Sequence, residues 1–157
     1  MTFTHTGPRV KLVRAEEGEA HLVGFDRVEL LLTGEDTDGA FMLGLVTVEP
    51  GGGPPPHVHR REDEVFVVVS GEIEAWTPDG TLTAGAGDVV FLPADVPHTY
   101  RNVSAAPASF YLFANPAGFE HFYARLARLF ALPGGPAPAD VHAVAEEHGI
   151  TFLGGSR

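Results

Sequence analysis

From about Gly24 to Ala114 the chain alternates short runs of Val, Leu, Phe and Thr with breaks built of Gly, Pro, Asp and Asn. Arg27–Thr33 is one run, ended by the turn-rich Gly34–Gly39, and Ala40–Glu49 is a second. Pro50-Gly-Gly-Gly-Pro-Pro-Pro56 follows, where neither strand nor helix can continue. Glu64–Ser70 and Glu72–Thr77 are separated only by Gly71, and the second run ends in Pro78-Asp79-Gly80, a hairpin signal. Asp88–Leu92, Val96–Asn102 and Ser109–Ala114 complete the set. Many short strands with no helix between them predict an antiparallel sandwich or barrel. The core is expected to be all-β.

The period changes after Asn115-Pro116. Phe119, Phe122, Tyr123, Leu126, Leu129 and Phe130 recur at helical spacing, with Glu120, Arg125 and Arg128 between them. Leu132-Pro-Gly-Gly-Pro-Ala-Pro138 stops that helix. Asp140 is the expected N-cap of a second helix running to His148, with Gly149 as its stop. Together these helices carry too little apolar surface to fold alone, so both are expected to pack on the barrel.

Composition narrows the chemistry. The 157 residues include no cysteine, which excludes disulfide scaffolds, thiolate zinc sites and cysteine nucleophiles. Acidic residues outnumber basic ones 21 to 10, and the formal charge of −11 makes nucleic acid an unfavourable partner. No apolar run is long enough to span a membrane, so none is expected as a partner. Met1–Ala20 lacks the apolar stretch of a secretory signal, and the expected location is the cytoplasm. Against so few basic residues, 8 histidines stand out.

His57-Val-His59 follows the proline run directly. In a strand, alternate side chains share a face, so both imidazoles can point one way, and a turn through Arg60–Asp63 can bring Glu64 back toward them. Two imidazoles and a carboxylate suit iron, manganese, nickel, copper or zinc. Taken alone, such a pair is more often two solvated histidines than a metal site.

A second segment changes that balance. Gly87-Asp-Val-Val-Phe-Leu-Pro93 leads through Asp95 and Pro97 to His98 and Asn102. With it, the sequence resembles the cupin superfamily in both signature motifs, the first carried by Gly51, His57, His59, Glu64 and Gly71. The second is carried by Gly87, Pro93, His98 and Asn102, with Asp95 where the family motif has Gly. That position needs a tight turn, and Asp is among the few residues that tolerate positive φ.

The resemblance implies an all-β cupin double-stranded β-helix, or jelly-roll barrel, with a C-terminal helical extension. The expected division is a segment 1–23 able to exchange strands, a barrel 24–114 and a helical tail 115–157. It implies His57, His59, Glu64 and His98 as ligands of one divalent transition metal ion per chain (Fe, Mn, Ni, Cu or Zn), and a homodimer.

Alternation adds Phe66, Val68 and Ser70 to the face of Glu64, and Tyr100 and Asn102 to the face of His98. Tyr100 reads equally as a hydrogen-bond donor to substrate and as an amphipathic core residue; Asn102 is expected to be structural. His5, His21, His121, His142 and His148 lack ligand spacing and are expected to be solvated or capping, and Glu62 and Asp63 to be loop charges. The tail loosely resembles that of small quercetin-dioxygenase-like cupins. With the apolar lining, this favours a metal-dependent dioxygenase acting on a small aromatic or enolic substrate, with Glu64 and Tyr100 as catalytic residues. Cupin folds host many activities. The alternatives are a non-catalytic metal- or small-molecule-binding protein and a metal-dependent isomerase or lyase.

Overall fold

The chain enters through β1 (Glu19–Val23) and β2 (Asp26–Leu32), a short helix α1 (Gly34–Thr37) and β3 (Met42–Val48). Next come β4 (His57–His59), β5 (Asp63–Ser70), β6 (Glu72–Thr77), β7 (Gly80–Gly85), β8 (Val89–Leu92), β9 (Thr99–Arg101) and β10 (Ala108–Asn115). Helices α2 (Phe119–Phe130) and α3 (Pro138–Glu147) and a last strand β11 (Ile150–Phe152) follow. This computed structural model describes residues 10–154. His5, and part of the segment expected to exchange strands, lie outside that range. Within it, β1 pairs with β2 of its own chain.

Antiparallel pairing joins six strands in the order β1-β2-β3-β10-β5-β8, and three more in the order β7-β6-β9. The pair β11-β4 lies beside them, bridged to the region of β9 where His57 and His98 exchange backbone hydrogen bonds of 2.9 Å. Alternation drives the closure. In β3, Met42, Gly44, Val46 and Val48 point inward while Leu43, Leu45 and Thr47 are half-buried. In β10, Ala108, Phe110, Leu112 and Ala114 face the same interior. Phe66 and Phe110 pack at 4.5 Å between ring centroids in the middle of this core.

Gly71 lets β5 run into β6 with a single intervening residue. Its φ is +72°, and a Cβ there would sit 2.8 Å from that of Ala108, so the turn admits no side chain. Asp95 also adopts a left-handed φ of +63°, the conformation expected of the residue replacing the motif glycine.

Three strands lacked a sequence signal. Four of the six residues of β7 are exposed and β1 buries one residue of five, so neither carries an apolar alternation. The tail continues past its second helix into β11, whose three residues pair with the histidine strand β4. That second helix begins earlier than expected. Pro138 opens it and Ala137 is its N-cap, so Asp140 lies in the first turn rather than at the cap. Gly149, at φ +76°, follows its C-cap as expected.

Helix α2 buries Phe119, Phe122, Tyr123 and Leu126, the predicted face, and packs against β1 and α3. Glu120, read from the sequence as polar filler, is buried. Its two oxygens accept from the backbone amides of Gly34 and Gly118 at 2.7 Å, tying the helix start to the first turn of α1.

Candidate metal centre

Strand β4 turns both its imidazoles inward because the flanking segments hold it on two sides. The His57 amide donates to the His98 carbonyl and the His98 amide to that of His57, each at 2.9 Å. On the other edge Ile150 pairs with His59 and Phe152 with His57. Glu64 projects from β5 opposite Leu92 of β8. One ligand atom from each of His57, His59, Glu64 and His98 lies within 4.8 Å of all the others, and all four side chains are buried. The four residues expected from the motifs converge.

The orientation of each ring is set from behind. Nδ1 of His57 lies 2.9 Å from the Pro55 carbonyl, and Nδ1 of His98 lies 2.9 Å from that of Val96. A carbonyl only accepts, so both Nδ1 atoms carry the proton and Nε2 presents a lone pair to the centre. His59 obeys the same rule through a carboxylate, its Nδ1 lying 3.3 Å from Glu62 Oε2. Its Nε2 is a buried nitrogen with no hydrogen-bond partner among the described residues, 3.4 Å from Glu64 Oε2. His98 Nε2 lies 3.0 Å from the same oxygen. Lone pairs aimed at a carboxylate repel unless a proton or a metal cation stands between them. Three such nitrogens and one carboxylate fit a divalent transition metal.

Electrostatics agree. Burial works to raise the Glu64 carboxyl, but His59, His98 and His57 together outweigh it and hold the group below its ordinary range. Burial, then the charges of His59 and His98, pull His57 down to about 4, so this ring stays neutral and able to donate its lone pair. At His59 burial acts downward, and Glu64 and Glu62 more than reverse it.

Three of these ligands, His57, His59 and Glu64, line a cavity of about 170 Å³. Its walls are mainly apolar: Phe66 from β5, Phe119, Phe122 and Leu126 from α2, Ile150 and Phe152 from β11. Phe119 meets His59 edge-on at 4.7 Å between centroids. In the tail, expected to pack on the barrel, α2 and β11 thus supply much of the cavity wall. No Lys or Arg lines the cavity among the described residues.

Several sequence readings change here. Glu62 lies in the loop between β4 and β5 but is not a solvated charge; it is 3% exposed and holds a ligand ring. Asp63 is exposed, as expected, and its Oδ1 accepts from the Ala94 amide at 2.8 Å. Ser70 lies outside the cavity at an exposed strand end, 2.7 Å from Ser109 Oγ, and Val68 is core. His21 is buried, not solvated, with Nε2 3.4 Å from Glu19. His148 caps α3 through Nδ1 and the Val144 carbonyl at 2.8 Å, whereas His121 and His142 are exposed.

Tyr100 lines the cavity, and its hydroxyl donates to Asp26 Oδ2 at 2.6 Å. Asp26 is a cavity residue the sequence reading missed. Its signal was the inward register of Asp26, Val28 and Leu30 along β2, one residue before the run began. Asn102 is fully buried and structural: Nδ2 donates to the Val48 and Ala106 carbonyls, and Oδ1 accepts from Ser104.

The cupin domain profile matches residues 44–114. Quercetin 2,3-dioxygenase of Bacillus subtilis is 32% identical over 101 residues, covering 62% of this chain and 30% of that protein. Oxalate oxidase GF-3.8 of Triticum aestivum is 30% identical over 138 residues, covering 78% of this chain and 61% of that one. The chain spans less than two thirds of the length of these curated relatives. Among solved structures, the polyketide cyclase RemF from Streptomyces resistomycificus superposes with a TM-score of 0.61 at 25% identity, over 68% of this chain and 80% of that one.

Proposed function

As the chain belongs to the cupin superfamily, we propose that it is a metal-dependent, dioxygenase-like enzyme acting on a small aromatic or enolic substrate. One observation carries this reading: three lone-pair nitrogens and one carboxylate converge at a cavity whose walls are mainly apolar. A divalent ion held by His57, His59, Glu64 and His98 supplies Lewis acidity and, for a redox-active metal, one-electron chemistry.

The chain's own residues supply the rest. Phe66, Phe119 and Phe122 exclude water and offer flat apolar contact to a planar substrate. The ionised Glu64 carboxylate accepts the proton of an enol or phenol hydroxyl brought to the centre. With no Lys or Arg in the wall, the cavity favours a neutral ring over a small dicarboxylate. About 170 Å³ suits one ring, since a cavity of about 150 Å³ accommodates benzene.

We propose a homodimer as well. Val67, Val69, Val89 and Phe91 are exposed together on the outer face of β5 and β8, which supports burial of that face against a second copy.

Oxygen uptake with single-ring catechols or short diketones tests the main reading, comparing wild type with His59→Ala after loading each of Fe, Mn, Ni, Cu and Zn. Uptake by wild type and loss in the variant are expected. Metal-dependent conversion of substrate without oxygen uptake would instead favour the isomerase or lyase reading. Stoichiometric metal with no turnover at all would favour the binding protein.

A further inference from the structure

Asp26 is the cavity's second carboxylate, and the metal quartet does not include it. It opens β2, is 9% exposed, and shares the chamber with His57, His59 and Glu64. One of its oxygens is committed: Oδ2 accepts the Tyr100 hydroxyl at 2.6 Å. The other, Oδ1, is buried with no hydrogen-bond partner among the described residues. Tyr100 is in turn held edge-on by Phe66 at 5.5 Å and by Phe110 at 5.1 Å, so the carboxyl has a fixed support. Tyr123 lines the same wall, and burial, then the charges of Glu64 and Asp26, push its hydroxyl well above the ordinary range.

A buried acceptor without a donor is costly, and native structures rarely keep one unless a ligand or water completes it. Here the atom belongs to a residue of the cavity wall. We propose that Asp26 is a substrate-recognition residue, accepting a hydrogen bond from a hydroxyl-bearing arm of a single-ring ligand whose enol or phenol oxygens lie at the metal quartet. Tyr100 is a positioning residue that holds the carboxyl in place. The proposal rests on the function proposed above and adds the chemistry of the second contact point: a neutral donor, in a chamber with two carboxylates and no Lys or Arg among the described residues.

Matched catechols test it, bound anaerobically to the zinc-loaded protein and followed by calorimetry. The pairs are methylcatechol with hydroxymethylcatechol, and ethylcatechol with hydroxyethylcatechol, so that two arm lengths are sampled. The readout is the ratio of affinities within each pair and each protein, in which general changes in the cavity cancel. Wild type is expected to prefer the hydroxyl arm of at least one pair by about tenfold, as a charge-assisted bond allows. Asp26→Ala brings that ratio to within about twofold. Asp26→Asn still accepts from Tyr100 through its one oxygen and presents an NH2 where Oδ1 stood, so the ligand hydroxyl can only accept a neutral bond there and the ratio falls to about threefold. It serves alone should the alanine variant fail to fold. A preference that survives both substitutions overturns the proposal. So does tight binding of the plain catechols with no hydroxyl preference at either arm length, an outcome that leaves the proposed function standing. If no catechol binds the zinc-loaded wild type, the proposal falls, and oxygen uptake with short diketones decides the proposed function separately.

Discussion

The Glu62 carboxylate lies 3.3 Å from Nδ1 of His59, and both side chains are sealed from solvent. This pair performs with a carboxylate what the carbonyls of Pro55 and Val96 perform for His57 and His98. Each fixes a tautomer, and each aims one Nε2 at the same point. The carboxylate adds something a carbonyl lacks, since its charge raises the basicity of the ring it holds.

Glu62→Ala is therefore expected to weaken metal affinity by about 10- to 100-fold although the residue does not touch the ion. Competition with a chromophoric chelator measures this directly, and an affinity equal to wild type would show that the ring needs no such support. Glu62→Gln, which can still accept from Nδ1, should lose less.

A second expectation concerns pH. Burial, partly countered by the Tyr100 hydrogen bond, raises the Asp26 carboxyl from 3.8 to about 6. Folding then takes up a proton between those values, so this group costs stability as pH rises through about 6 and costs nothing below about 4. The full penalty is on the order of 3 kcal/mol at pH 8. Asp26→Asn removes it, so the stability of the metal-free variant relative to wild type should improve between pH 5 and pH 8. Thermal melts at both values check the sign, and an offset independent of pH would contradict it.

Asn102 joins four partners in a fully buried position. Asn102→Ala should cost about 1–3 kcal/mol in urea unfolding, because it strands the Val48 carbonyl and frees the Ser104 loop, whose hydroxyl keeps only its bond to the Ala106 carbonyl. A loss under 1 kcal/mol, on the order of one ordinary hydrogen bond, would mean the loop finds other partners.

At Asp95 the left-handed backbone and the hydrogen bond from its amide to the His59 carbonyl at 2.7 Å place the turn directly against a ligand strand. Its side chain adds only an exposed contact of 3.5 Å with Arg60, of little worth. Asp95→Gly is expected to gain up to about 1 kcal/mol, and Asp95→Val to lose about 1–2 kcal/mol. Denaturant midpoints of the two variants should fall on opposite sides of wild type.

Glu62 and Glu64 show where legibility stops. Glu64 stands at a motif position relative to His57 and His59, and the strand period brings it to their side. Glu62 carries no such mark. Nothing local separates it from the solvated charge of Asp63 beside it; Phe119, 57 positions away, packs against His59 and helps to close the space around the site. His21 was misread as solvated for the same reason, and the burial of Glu120 left no local mark either.

What the sequence determined by itself was therefore local and periodic. Alternation set the inward faces of β3, β5 and β10, glycine at positive φ set the turn at Gly71, and fixed spacing set the four candidate ligands. Tertiary structure alone decided the chamber. Its walls come from β2, the Gly53–Pro55 loop, β5, α2 and β11, segments brought together by burial of apolar surface, which is non-directional and leaves no spacing rule to read. The absent cysteines and the surplus of histidines pointed to a nitrogen and oxygen site; the hydrogen bonds behind each ring, formed only on folding, make that site a convergent one.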